Sequence, residues 1–181
     1  ICGLVMSGLS VFSTSVASAA DGDLGSLDFG STQTLYLETT TDSSAFAFGT
    51  GDFTIEYWWK PTANRRSDVM DFWSDPIAGS AQTTRFILGT FGGAPHVYVD
   101  DKVQGSGAKI SGSSNLTLNV WHHIAVTRSS GAIKMWIDGS QAGSTYSNSL
   151  NMGNVGMKLS IMKDHGAGAN GSGKFAGARV V

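Results

Sequence analysis

Along residues 24–181, apolar positions never hold a helical period for long. Short β-rich runs instead alternate with clusters of Gly, Ser, Asn and Asp. The pattern predicts strands at 26–29, 34–38, 53–60, 68–74, 84–89, 96–100, 108–111, 121–128, 132–138, 140–144, 157–161 and 174–180. The clearest is 53–60. There Phe53, Ile55, Tyr57 and Trp59 share one face, and Thr54, Glu56, Trp58 and Lys60 share the other. The first face is wholly aromatic or aliphatic and points inward. The second is polar apart from one indole.

The centre of the chain carries the strongest turn signals. Ser129-Ser130-Gly131 between two strands suits a three-residue hairpin loop with a bulge. Asp138-Gly139 suits a two-residue hairpin, because both positions tolerate positive φ. So many short strands exceed what one open sheet usually holds, and two packed sheets are expected. The fold class predicted is all-β, a two-sheet antiparallel β-sandwich. The Gly- and Asn-rich stretch 166–173 reads as a loop before the last strand.

Residues 1–23 break the pattern. The run 1–12 is apolar and rich in small residues, and Ala17-Ser18-Ala19 precedes Asp21-Gly22. This reads two ways: a secretory signal with a small-residue cleavage site, or a retained apolar N-terminal arm packing on a neighbouring subunit. A membrane-spanning helix is not expected. Polar residues interrupt the run, and it falls short of the ~20 apolar residues required. The chain therefore divides into an apolar segment, 1–23, and a sandwich domain, 24–181.

Composition sharpens the picture. The 181 residues carry a net charge of −2, with 41% hydrophobic and only 14% charged residues. That excludes intrinsic disorder and disfavours a basic nucleic-acid surface, so no nucleic-acid partner is expected. The single cysteine, Cys2, has no partner within the chain for a disulfide. The 24 glycines and 3 prolines fit many tight turns between short strands.

At this point the chain resembles a known family. Ser26-Leu27-Asp28-Phe29 with Leu35-Tyr36-Leu37 looks like an opening strand pair. Phe48-Gly49-Thr50-Gly51-Asp52-Phe53-Thr54-Ile55-Glu56-Tyr57-Trp58 looks like the family's most recognisable strand. Trp121-His122-His123-Ile124-Ala125, Lys134-Met135-Trp136-Ile137-Asp138-Gly139 and Phe175-Ala176-Gly177-Ala178-Arg179 follow in family order. The sequence resembles the laminin-G-like, concanavalin A-like lectin/glucanase superfamily, over about residues 24–181. The resemblance implies a concanavalin A-like jelly roll. It implies function only broadly, because that fold hosts lectins, adhesion modules, glycan hydrolases and virion proteins. The Phe-Gly-Thr-Gly-Asp-Phe-Thr-Ile-Glu wording is familiar from bacteriophage structural proteins and bacterial secreted proteins.

No catalytic set stands out. The family's glucanases alternate carboxylates on one strand, and Asp52 and Glu56 are the nearest approach. Thr54 replaces the central acid, and on a plain strand the two lie about 13 Å apart, against the ~5–5.5 Å of a retaining pair. Asp71 and Asp75 offer no better constellation. His122 and His123 are adjacent on a strand, so they face opposite sides and cannot chelate one ion. His123 reads as the core-proximal family histidine.

No cofactor is required. Calcium at a sandwich rim is a candidate, with Asp100, Asp101, Asp164 and Asn170 as oxygen donors. Turn chemistry accounts for the same residues. Sugar binding needs an aromatic platform with polar neighbours. Trp58, Trp73, Tyr98, Trp136 and Tyr146 are the candidates, with core packing as their plain structural role. The expected function is a non-catalytic structural, decoration or adhesion subunit of an extracellular assembly, of the virion-surface kind. Its partners would be glycans or neighbouring subunits in a homo- or hetero-oligomer. A secreted bacterial carbohydrate-binding module is the alternative, and a glycan hydrolase the remote third.

Overall fold

The structure is a computed structural model. It describes residues 9–10, 25–31, 35–74, 85–100, 107–148, 157–163 and 170–181. Among the described residues the strands, numbered in chain order, form two antiparallel sheets. One sheet has seven strands, in the spatial order Leu9–Ser10 (β1), Leu37–Thr39 (β3), Lys158–Ile161 (β12), Ser67–Trp73 (β5), Arg85–Phe91 (β6), Ala94–Asp100 (β7) and Gly107–Ser111 (β8). The other has six, in the order Ser140–Ser147 (β11), Ala132–Ile137 (β10), His122–Ser129 (β9), Phe53–Lys60 (β4), Lys174–Val180 (β13) and Ser26–Asp28 (β2). This is the expected jelly-roll sandwich, and each expected strand segment contains a strand. No helix among the described residues is long and apolar enough to cross a membrane.

Alternation drives the packing. Along β4, Phe53, Ile55, Tyr57 and Trp59 are buried, while Trp58 between them is exposed. Their inward row meets Met70, Phe72, Phe86, Leu88, Val97 and Val99 of the facing sheet in one core. Each fully buried side chain of this size contributes about 1.5–3 kcal/mol of burial. Burial pushes the Tyr57 phenol well above its ordinary range. The Trp59 indole N–H donates to the Ser172 carbonyl at 3.0 Å, so its one polar atom is satisfied inside the core.

The hairpins are tight. Asp138 (φ 51°) and Gly139 (φ 80°) both take the left-handed region, as the Asp-Gly dipeptide predicts. The preceding turn differs from expectation. Ser129 pairs with Ala132, so Ser130 (φ 49°) and Gly131 (φ 78°) close a two-residue turn rather than a bulged three-residue loop. Asp52 holds it, its Oδ1 accepting the Ser130 N–H at 2.8 Å.

Within the N-terminal segment, the backbone at Leu9–Ser10 pairs antiparallel with β3, Leu9 opposite Thr39 and Ser10 opposite Glu38. Cys2 lies outside the described residues.

Candidate functional site

The outward face of the six-stranded sheet carries an exposed tryptophan in the interior of a strand. Trp58 stands opposite His123 of β9 on one side and Ala176 of β13 on the other. It is 45% exposed. The other exposed large apolar side chains among the described residues, Phe91, Val120 and Val181, lie outside strand interiors. The His123 ring lies 5.1 Å from the Trp58 ring at 46°. On the far side β13 bulges at Gly177, with φ 58°, and a Cβ there would come within 3.2 Å of Trp58 Cδ1. The bare glycine lets the indole lie down between two strands.

Polar groups surround the indole. Arg179 Nη1 donates to Glu56 Oε1 at 3.2 Å, and His123 Nε2 lies 3.4 Å from Glu56 Oε2. Trp136 of β10 also faces outward, two strands away and half-buried. Its indole N–H donates to Thr127 Oγ1 at 3.1 Å. Strand spacing puts the two tryptophan backbones about 12 Å apart. Lys134 Nζ lies 6.0 Å from the Trp136 ring centre. An apolar sugar face can stack on such a ring while fixed charged and hydroxyl groups engage its oxygens.

The other candidate aromatics lie elsewhere. Trp73, on the outward face of the seven-stranded sheet, donates to Ser160 Oγ at 3.1 Å and carries Lys158 Nζ 4.5 Å from its ring centre. A cavity of about 230 Å³ lined by Glu38, Thr39, Thr40, Trp73 and Lys158 opens beside it. Tyr98 sits on β7, opposite Ile87. Tyr146 is opposite Ile133 and packs against the core, with Lys109 Nζ 5.9 Å from its ring centre. The five aromatics therefore do not converge on one site.

One histidine reading changes. His122, not His123, is the inward histidine, in phase with buried Ile124 and Val126. Its Nδ1 meets Asp138 Oδ2 at 2.7 Å and its Nε2 meets the Thr117 carbonyl at 3.1 Å. His122 also lines a rim cavity of about 340 Å³ with Asn115, Thr117, Ser140 and Gln141. Asp71 sits in a buried ion-pair network, and Asp75 lies outside the described residues. Asp71 pairs with Arg85, whose Nη2 lies 3.6 Å from Asp68 Oδ2, and Arg66 Nε lies 3.6 Å from Asp68 Oδ1. Both carboxylates are fully buried. Residues three apart on a plain strand face opposite sides. A bulge between Asp68 and Met70 brings these two to one guanidinium. The only sequence trace is the lapse of alternation at Ser67-Asp68-Val69-Met70.

Nearby, burial and then the positive charge of Arg66 lower the His96 imidazole to about 4. Among the calcium candidates, Asp101 and Asp164 lie outside the described residues. Asp100 ends β7 opposite Arg85 instead of sitting in a turn. Asn170 bridges to Asp68. Among the described residues, no three His, Cys, Asp or Glu side chains group as metal ligands.

A family model described as the concanavalin A-like lectin/glucanases superfamily matches residues 29–181. No curated protein sequence matches the chain significantly. Solved structures share the fold at low identity. Domain 4 of an extracellular arabinanase from Geobacillus stearothermophilus, in complex with arabinotriose, superposes with a TM-score of 0.66 at 14% identity, covering 97% of this chain and 75% of that one. A heptameric SAP-like pentraxin from Limulus polyphemus gives 0.60 at 15% identity, covering 86% and 74%. The enzymatically active domain of tailspike protein 2 of bacteriophage CBA120 gives 0.59 at 19% identity, covering 99% of this chain but 29% of that one.

Proposed function

This chain belongs to the concanavalin A-like lectin/glucanases superfamily, and on that premise we propose that it is a non-catalytic glycan-binding module of an extracellular assembly. Its contact surface is the outward face around Trp58. One observation carries the reading. Trp58 is an exposed indole in the middle of a sheet, held between His123 and the Gly177 bulge, with Glu56 and Arg179 beside it. Folding gains little from leaving an indole in water there, whereas a sugar ring would cover it. The arabinanase domain, solved with arabinotriose, supports the reading by likeness of fold.

Hydrolysis is disfavoured by the acids themselves. Asp52 is occupied with the Ser130 amide, and Glu56 with Arg179 and His123. Calcium at Asp100, Asp101, Asp164 and Asn170 stays within the proposal as a rim accessory, and a calorimetric titration without heat removes it. The test of the main reading is oligosaccharide binding followed by tryptophan fluorescence and calorimetry. Trp58→Ala should abolish binding, while Trp73→Ala should leave it intact. Binding that survives Trp58→Ala rejects this surface.

A second reading is a purely structural subunit, of the virion or surface-appendage kind, whose segment 1–23 docks on a neighbour. The tailspike likeness favours it. Deleting residues 1–22 should then abolish assembly and spare the sandwich. Assembly that persists overturns it.

A further inference from the structure

One corner of the sandwich holds a cavity that the Trp58 face does not use. It measures about 340 Å³ and lies at the rim, between the 112–117 loop after β8 and the turn from β10 into β11. Small-molecule sites occupy about 300–1,000 Å³, so this one suits a compact ligand. Two glycines among its lining bring backbones together at its inner end. A Cβ on Gly143, which has φ 72°, would come within 2.6 Å of the Ser111 carbonyl oxygen. One on Gly112 would come within 2.8 Å of Pro95 Cγ. β8 and β11 therefore meet at the back of the cavity, which favours a short ligand over a chain running through.

The walls are uncharged and rich in hydroxyls. Ser113, Ser114, Asn115, Thr117, Ser140 and Gln141 line the cavity, and all six are exposed. Such hydroxyls and amides both donate and accept. Gln141 Nε2 donates to the Gly143 carbonyl at 3.3 Å and to Thr145 Oγ1 at 3.4 Å, leaving its amide oxygen to accept. Leu116, Ile137 and Ala142 supply an apolar wall. Among the described residues, no Lys, Arg, Asp or Glu lines the cavity, and no Phe, Tyr or Trp. His122 lines it, but its two ring nitrogens are engaged by Asp138 Oδ2 and the Thr117 carbonyl.

These walls define a ligand. A charged group would enter without a counter-charge, which opposes binding. A pyranose would lack the aromatic ring on which its flat face stacks. An open-chain polyol needs no such platform. It turns hydroxyls to a polar wall and its carbon chain to an apolar one. We propose that the rim cavity is a second binding site, taking a small, neutral, acyclic polyol of the alditol class. Its hydroxyls bond Asn115, Thr117, Ser140 and the Gln141 amide oxygen, and its carbon chain lies along Leu116 and Ile137. The site does not depend on the glycan-binding reading, because His122 and Ile137 face the core side of the sheet and Trp58 the other.

The experiment titrates the isotope-labelled full chain with galactitol, beside galactose and galactonate, and follows backbone amide resonances. Galactitol should shift residues 112–117 and 140–143 saturably, and bind there about tenfold more tightly than the cyclic sugar or the charged open chain. Thr117→Val with Ser140→Ala, both at exposed positions, should weaken galactitol about tenfold and leave the thermal midpoint unchanged. Gln141→Leu should weaken it independently. Trp58→Ala should bind galactitol as the parent does, so loss of the Trp58 surface and loss of this site are read separately. If galactitol moves neither segment, or if Thr117→Val with Ser140→Ala binds it with parental affinity, the site falls. Galactose bound there as tightly as galactitol overturns the acyclic assignment. Galactonate bound more tightly overturns the neutral one.

Discussion

His122 Nδ1 lies 2.7 Å from Asp138 Oδ2, tying the first residue of β9 to the turn that ends β10. The other oxygen of the same carboxylate accepts the His123 backbone N–H at 2.8 Å. Burial pushes the Asp138 carboxyl up, but the hydrogen bonds from the His122 ring and the His123 amide outweigh it and hold the group below its ordinary 3.8. The stabilisation it provides is thus complete above that ordinary value. It is lost as pH falls through the lowered one. Asp138→Asn keeps a residue suited to positive φ before Gly139 but loses the charge. It should cost about 1–2 kcal/mol at neutral pH in urea denaturation, with the deficit vanishing in strong acid.

Trp58 and Trp59 are neighbours in sequence with opposite duties. Trp59 is 1% exposed and hydrogen-bonded inside the core. Trp59→Ala should cost about 3–5 kcal/mol. Trp58→Ala should change stability by about 0.5 kcal/mol or less, as surface positions do. Parallel denaturation curves separate them, and a large loss at Trp58 would mean that the face is structural.

Gly177 combines φ 58° with a Cβ path that ends 3.2 Å from Trp58 Cδ1. Gly177→Ala should cost about 1–2 kcal/mol from the left-handed backbone. It should also displace the indole, read as a shift in tryptophan emission. An unchanged spectrum would show that the bulge does not position Trp58.

His96 is buried and neutral, with its imidazole lowered from the ordinary 6.5 to about 4 by burial and by Arg66. The unfolded chain takes up that proton first. Stability should therefore be flat above about pH 6.5 and fall between 6.5 and 4, by about 3 kcal/mol in all. His96→Gln should flatten that interval in urea titrations across pH. A parent whose stability is constant from pH 7 to 4 would contradict the assignment.

Much of the fold was legible because β-structure writes itself locally. Phe53, Ile55, Tyr57 and Trp59 recur at period two, and Asp138-Gly139 takes a turn that few other dipeptides enter. The inward histidine was legible too, through the shared phase of His122, Ile124 and Val126, although the family resemblance pointed to His123. The grouping of the candidate aromatics was not legible. Trp58 and Trp136 share a face because both pair in phase with β9, opposite His123 and Ala125, whereas Tyr146 turns to the core.

By itself, then, the sequence determined the alternation, the Asp138-Gly139 turn and the two-sheet sandwich, since these follow from neighbours within a few residues. Only the tertiary structure decided the pairings that carry chemistry. Trp58 meets His123, and Arg85 meets Asp71 and Asp68, through strand order and a bulge. Register across a sheet is set by the burial of whole faces, so no local pattern around either partner specifies which residue it will meet.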